Sequence, residues 1–377
     1  MYLRREERRS RRGLIWFLLL VAMGLTALLY VRSEENPLPI GKSPTPTVTA
    51  EESSVQHLAA GDELFAQGRI NEATTEYQQA AELDPDNDQA YARWAKLLAL
   101  EKRVGEAVEK ARRAVELNPD SAENYAILAM TLDWTGQYYE AITTALRAIE
   151  IDPEYAEGYA YLAEAYADTQ RYDKALEAGR KAVELNDESV DAHRNLGYVL
   201  EVRGDYEGAI AEYKRAIALH PHLSYLYLSL GRNYRALGDY EAAIVQFQKA
   251  SELDPDNVEI YDSLGLIFFD QGDYDRAEAL FTKVLEIDPN YANAYGHLGW
   301  TFYVRRNYEE AIPNFKKAIE LGAVVIEYYY ELGLSYAFLG RCEEALPWLE
   351  KALEYNPASQ PALEGLALCQ EREGQEE

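Results

Sequence analysis

Small and apolar residues recur along this chain on two scales. Between 224 and 257, Tyr227, Leu230, Gly231 and Tyr234 are spaced by three and four, and so are Ala243, Phe247 and Ala250. Each set therefore falls on one face of a helix. On the longer scale the pattern returns every 34 residues: alanine stands at 73, 107, 141, 175, 209, 243, 277, 311 and 345 with no break in phase. With units counted from residue 54, the eighth position is always small (Gly61, Ala95, Ala129, Ala163, Gly197, Gly231, Gly265, Gly299, Gly333). The twenty-seventh is alanine except at Val284, and the thirty-second is usually proline, as at Pro85, Pro119 and Pro153. Small residues let two helices approach closely, and proline stops the second helix and pushes its predecessor out of helical geometry. Between the two sets, Gly238 closes the first helix and Asp239 can cap the second. Each unit is predicted to be a helix-turn-helix. A fixed period of this size means a stacked array whose long surface serves binding.

The pattern resembles the tetratricopeptide repeat family. It has Trp or Tyr near position four, Leu then Gly or Ala at seven and eight, and Tyr, Phe or Leu at eleven. Ala follows at twenty, often an aromatic at twenty-four, Ala at twenty-seven and Pro at thirty-two. Nine repeats cover residues 54–359. The resemblance implies an all-α solenoid, a right-handed superhelix of nine helix-turn-helix units. Asp187 and Ala323 depart from the proline, Lys102 and Gln170 from the inter-helix glycine, and Pro313 and Pro347 fall inside second helices. After the array, residues 360–377 form a capping helix and tail, with Leu363, Leu366, Ala367 and Leu368 on an apolar stripe and charged residues opposite.

The N-terminus reads differently. Residues 14–31 carry no charge, and as a helix they would span roughly 27 Å, enough to cross a bilayer. Trp16 and Tyr30 sit near opposite ends. Residues 1–13 form a basic tail with six arginines, so the positive-inside bias keeps that tail cytoplasmic and sends the repeats across the membrane. A cleaved signal peptide is the competing reading, with Ala22-Met23-Gly24 as a cut site. Against it, seven more apolar residues follow that triplet, and a retained signal anchor is favoured. Residues 32–53, with Pro37, Pro39, Pro44 and Pro46, make a stiff polar tether.

Charge narrows the partners. The chain carries −28, and the eight basic and six acidic side chains before residue 54 leave the array at about −30. Such a surface repels phosphate backbones, so no nucleic-acid partner is expected. No Gly-rich phosphate loop, nucleophile elbow or zinc-protease motif is present, and no region outside the repeats is long enough for a catalytic domain. The chain is not expected to be an enzyme or to hold a cofactor or metal. His220-Pro221-His222 lacks a third ligand. Cys342 and Cys369 read either as two small buried hydrophobes or as a disulfide stapling the cap to the ninth repeat.

The resemblance also implies where a ligand binds, because stacked first helices of the family line a concave groove through positions two, five, six, nine, twelve and thirteen. Repeats three and four place Trp134, Tyr161, Glu164 and Asp168 there. Repeats five and six place Arg194, Asn195, Tyr198, Tyr225, Arg232 and Arg235 there. Repeats seven to nine contribute Phe269, His297, Trp300, Tyr303, Tyr330 and Phe338. Arg194, Arg232 and Arg235 would gather on one wall beside Tyr198 and Tyr225, suited to a carboxylate or an acidic peptide. Phe269, Trp300, Tyr303 and Phe338 would form an aromatic strip. The opposing reading pairs the arginines with Glu164 and Glu201 and packs the aromatics inside a narrow superhelix. No three successive repeats carry the Lys, Asn and Arg set that clamps a chaperone's terminal carboxylate in this family.

The function this supports is a membrane-anchored scaffold that holds a protein or peptide partner in its groove, in assembly of an envelope complex. The alternatives are a self-associating spacer and the regulatory partner of an envelope enzyme such as a glycosyltransferase.

Overall fold

The computed structural model describes residues 50–376, together with Trp16, residues 20–23 and residues 25–26. It divides at Glu52 into an N-terminal unit and the array. Most of the expected membrane helix at 14–31 lies outside the described residues. Those that are described are helical, with Trp16, Leu20, Val21, Met23 and Leu25 exposed. Among the described residues no helix is long and apolar enough to cross a membrane.

The array is helical throughout. From repeat 2 onward the first helix opens on the unit's first residue and runs for 13 residues, from Asp88–Leu100 in repeat 2 to Ile326–Phe338 in repeat 9. Second helices run from Ile70–Leu83 to Cys342–Tyr355. Capping explains many of these limits. Asn87, Ser121, Ser189 and Asn257 accept backbone N–H bonds at the starts of first helices, and Asp205, Asp239 and Asp273 do so at the starts of second ones. The residue before the turn proline is extended at Asp84, Asp152, Asp288 and Asn356. Asn186, followed by Asp187 rather than proline, is extended too. Pro313 and Pro347 sit within unbroken helices.

The tight turn between helices requires a left-handed residue at position fifteen. Glycine fills it in six repeats, for example Gly238 at φ 77°. Lys102, Gln170 and also Arg306 take it at φ 60–65°. The sequence pattern flagged only the first two.

The buried alanines of positions twenty and twenty-seven form the seam between the helices of each repeat, 0% exposed at Ala73, Ala107, Ala114 and Ala243 alike. Across that seam, positions eight and twenty-four trade volume. Where position eight is glycine, an aromatic ring or Leu349 lies against it: a Cβ on Gly231, Gly265 or Gly299 would stand 2.5 Å from Phe247, Phe281 or Phe315. Where position eight is Ala95, Ala129 or Ala163, position twenty-four shrinks to Ala111, Ala145 or Gly179. This swap has a consequence for stacking. The first helices of repeats 2 to 5 pack closely on one another, whereas those of repeats 6 to 9 barely touch. The small–small repeats are thus the ones that let the next first helix close in.

Tight stacking curls the array back on itself. Phe65 of repeat 1 lies 5.1 Å from the His220 ring, centroid to centroid. Phe65 and Ile70 join the apolar cluster of Ala216, Leu223 and Leu226. A Cβ on Gly68 (φ 76°) would meet the His222 carbonyl at 2.4 Å, so glycine is needed there for space as well as for φ. Lys96 of repeat 2 pairs with Asp191 of repeat 5, and Lys102 with Glu259 of repeat 7. The His220-Pro221-His222 turn, a weak metal pair in the sequence, is the seat of this closure.

At the other end the helix Gln360–Glu376 covers repeat 9, burying Ala362 and Cys369. Cys342 and Cys369 are bonded there, with Cα atoms 5.4 Å apart.

Candidate interaction groove

First-helix side chains line the concave face, and its two halves differ. In repeats 3 to 5 the face is filled from within. Arg194 lies 5.5 Å over the Trp134 ring and pairs with Glu164, which also accepts the Trp134 indole N–H at 3.0 Å. The Tyr198 hydroxyl donates to Asp168. Asn195 is fully buried, its amide atoms without partners. Asp133 is buried beside Glu164 and Asp168, and both its oxygens are unpaired. Burial, then those two carboxylates, push it far above the usual carboxylate range. Burial also opposes ionisation of Asp191, but Lys96 and Arg194 outweigh it and hold Asp191 low. A cavity of 260 Å³ remains among repeats 1 to 5, lined by Phe65, Lys96, Tyr155, Tyr161 and Asp191 among others.

These contacts correct the expected arginine wall. Arg194 is tied back to Glu164, Arg232 forward to Glu259 at 2.9 Å, and Arg235 forward to Asp270 at 2.8 Å. The three guanidinium groups serve separate carboxylates of the chain and form no common free cationic surface. Asn195 is withdrawn from the face altogether, and Tyr225 is half-buried beside Arg194 and Asp191. Glu201 takes its hydrogen bonds from the Tyr213 hydroxyl and the Asn233 amide, not from an arginine.

In repeats 7 to 9 the aromatic residues do come together. Phe269 and Trp300 are 6.5 Å apart, Trp300 and Tyr328 5.2 Å, and Tyr303 and Phe338 6.4 Å. His297 stacks on Trp300 at 5.3 Å and is fixed by Asp262 at 2.7 Å. Tyr308 stacks on Phe338, which is 41% exposed. Among the described residues no hydrogen bond, ion pair or ring contact joins repeats 8 and 9 to repeats 1 to 6, so this stretch is not covered as the first half is. Glu331 was missed in the sequence, although it stands at groove position six of repeat 9. It is half-buried between these rings, and one carboxylate oxygen is fully buried without a partner. Burial first, and Glu327 second, push it up to about 8.

Among the described residues no group of histidine, cysteine and carboxylate side chains could hold a metal ion. What the geometry offers is a surface: an all-helical repeat solenoid with one closed half and one open aromatic half. The chain belongs to the tetratricopeptide repeat family. Profiles described as TPR repeat or tetratricopeptide repeat match residues 61–102, 122–155, 156–189, 190–223, 231–272, 256–323 and 326–359. A search of curated proteins finds no match. Among solved structures, a chain of the APC/C hetero-tetramer Cut9–Hcn1 matches with a TM-score of 0.70 at 17% identity, over 84% of this chain and 62% of that one. The human IFIT1 dimer with m7Gppp-AAAA matches with a TM-score of 0.54 at 21% identity, over 80% and 72%. PilF of Pseudomonas aeruginosa matches with a TM-score of 0.50 at 21% identity, over 57% and 98%. At such identities these likenesses concern the fold.

Proposed function

We propose that this protein is a membrane-tethered interaction scaffold that lays a segment of a partner protein along the open groove of repeats 7 to 9. The observation that carries the reading is the uncovered strip Phe269–Trp300–Tyr303–Phe338, set against a first half whose groove is filled by the chain's own side chains. Clustered aromatics on a concave surface supply contact area at little conformational cost and are typical binding anchors. Repeats 1 to 7, braced by the Lys96–Asp191 and Lys102–Glu259 pairs, act as the rigid base that holds the strip in place.

The uncharged run 14–31 is the anchor, with residues 1–13 cytoplasmic and the repeats outside. The tether 32–53 concentrates the array at the membrane, which favours assembly of an envelope complex there. The exposed apolar side chains Trp16, Leu20, Val21, Met23 and Leu25 support it. The charge of the array speaks for a protein partner, as in the Cut9–Hcn1 hetero-tetramer, and against an RNA such as the one bound to IFIT1. The test is affinity capture on the full chain in detergent, beside Trp300→Ala combined with Phe338→Ala. A protein retained by the first and lost from the second is expected; equal retention refutes the strip as the site. For topology, protease added to spheroplasts should digest the repeats; protection until lysis would reverse the orientation.

A further inference from the structure

The charges of the groove point to the chemistry of the partner, on the reading that the aromatic strip is the binding site. The arginines that suggested an acidic ligand are each paired with a carboxylate of the chain: Arg194 with Glu164, Arg232 with Glu259, which Lys102 shares, and Arg235 with Asp270. At the groove positions of repeats 7 to 9 the ionisable side chains left without an ion pair are carboxyl groups. Glu331 and Glu327, at groove positions six and two of repeat 9, form no ion pair among the described residues, and one Glu331 oxygen is sealed from solvent with nothing donating to it. The groups facing Glu331 are the hydroxyl-bearing rings of Tyr303, Tyr328 and Tyr330, the Trp300 indole and the Glu327 carboxylate. His297 lies behind Trp300 and is already committed to Asp262. No cation is among them. A buried carboxylate oxygen without a donor is costly, and aromatic faces attract cations.

We infer that the groove of repeats 8 and 9 takes the cationic end of a lysine or arginine side chain from a basic segment of the partner, between Trp300, Tyr303 and Tyr330 and against Glu331 and Glu327. The array's charge of about −30 draws such a segment in, while the site fixes where one of its side chains ends. Seating a cation also restores the ionised form of Glu331, whose carboxyl is held up to about 8 when the groove is empty. Binding near neutral pH therefore expels a proton.

That proton separates the site from diffuse attraction between a polycation and an acidic protein. The experiment is calorimetric titration of the full chain in detergent with deca-lysine, deca-glutamate and a neutral Gly-Ser decamer. It is run at pH 7 in two buffers of different ionisation enthalpy. Deca-lysine is expected to bind with release of roughly 0.9 proton per chain, the protonated fraction of a group titrating near 8. Glu331→Gln should abolish that release and weaken binding about tenfold, and Trp300→Leu should weaken it several-fold with the proton retained. Glu252→Gln, on an outer helix face, should change neither. Unfolding curves of the two groove variants that match the parent would show that the losses are local. Equal affinity and equal proton release for parent and Glu331→Gln would overturn the inference. If instead deca-glutamate or the neutral decamer binds and Trp300→Leu abolishes it, the groove reading stands and the cation assignment falls. If Trp300→Leu alters no titration and the capture experiment with Trp300→Ala and Phe338→Ala loses nothing, both fall.

Discussion

The exchange of volume between positions eight and twenty-four makes a quantitative prediction at repeat 7. A Cβ added to Gly265 would lie 2.5 Å from Cε1 of Phe281, 2.8 Å from Cδ1 and 2.9 Å from Cζ, and Phe281 is 0% exposed with no room to retreat. Overpacking of this kind costs about 1–3 kcal/mol. Against it, alanine is favoured over glycine inside a helix by about 1 kcal/mol. Gly265→Ala alone should therefore destabilise the repeat by about 1 kcal/mol. Phe281→Ala alone leaves a cavity and should cost about 3–5 kcal/mol. In the background of Phe281→Ala the new methyl has space, so Gly265→Ala should become stabilising by about 1 kcal/mol, recreating the Ala95–Ala111 arrangement of repeat 2. The coupling, about 2 kcal/mol, exceeds the few tenths by which independent sites depart from additivity. Repeat 5 supplies a control: a Cβ on Gly197 would be 3.3 Å from Tyr213, so Gly197→Ala should be near neutral. A solenoid unfolds in parts, so the readout is native-state hydrogen exchange of Val258–Asp270 and Tyr274–Ile287 rather than a single melting temperature. The reasoning fails if Gly265→Ala has the same sign with and without Phe281.

Other expectations follow from the same structure. Arg306→Gly and Gln170→Gly relieve left-handed residues at φ 61° and 60° and should each stabilise their repeat by up to about 1 kcal/mol; loss of stability on thermal unfolding would show that the side chains contribute more than the turn. Closure of the array should weaken in acid. Burial first, then His222 and Lys96, lower the His220 pKa, so the closed form binds fewer protons than the open one. Closure is thus at full strength above about pH 6.5 and declines as pH falls below it, seen as a larger radius in small-angle scattering; Phe65→Ala should open the array at neutral pH, and a radius unchanged by both would refute the closure. Reduction should loosen the cap: with a sequence separation of 27 between Cys342 and Cys369, the cross-link is worth about 3.5 kcal/mol to the end of the array, and two thiols titrating in untreated native protein would contradict the pairing.

Much of the fold was legible because every repeat poses the same local problem. The period, the proline turns and the alanine seam marked where helices begin and stop, and the observed helices open on the units' first residues. Two features escaped. Arg306 stands at position fifteen, where its departure from glycine is as legible as at Lys102 and Gln170 and was overlooked. The closure of repeat 1 on the turn at 220–222 depends on small differences in stacking between repeats, which sum over four units and leave no trace in any one of them. The same summation decided the groove. Family positions did place Phe269 beside Trp300 and Tyr303 beside Phe338, since aromatic residues at fixed register meet across adjacent first helices. The opposing reading, arginines paired with Glu164 and Glu201, holds for Arg194 and Glu164, whereas Arg232 and Arg235 meet Glu259 and Asp270 of the next repeat. In so acidic a chain those carboxylates carried no signal alone. Glu331 was overlooked for the same reason: its significance lies in the partner it lacks.

The central claim, that partners are held on the open strip of repeats 7 to 9, is tested most directly by photo-crosslinking in the native cell. A photoreactive phenylalanine would be placed in turn at positions 303 and 338 on the strip, at 225 in the closed half, and at 245 on the outer face. The account predicts one shared adduct from 303 and 338 and none from 225 or 245. Adducts from 225 or 245, with none from 303 and 338, would contradict it.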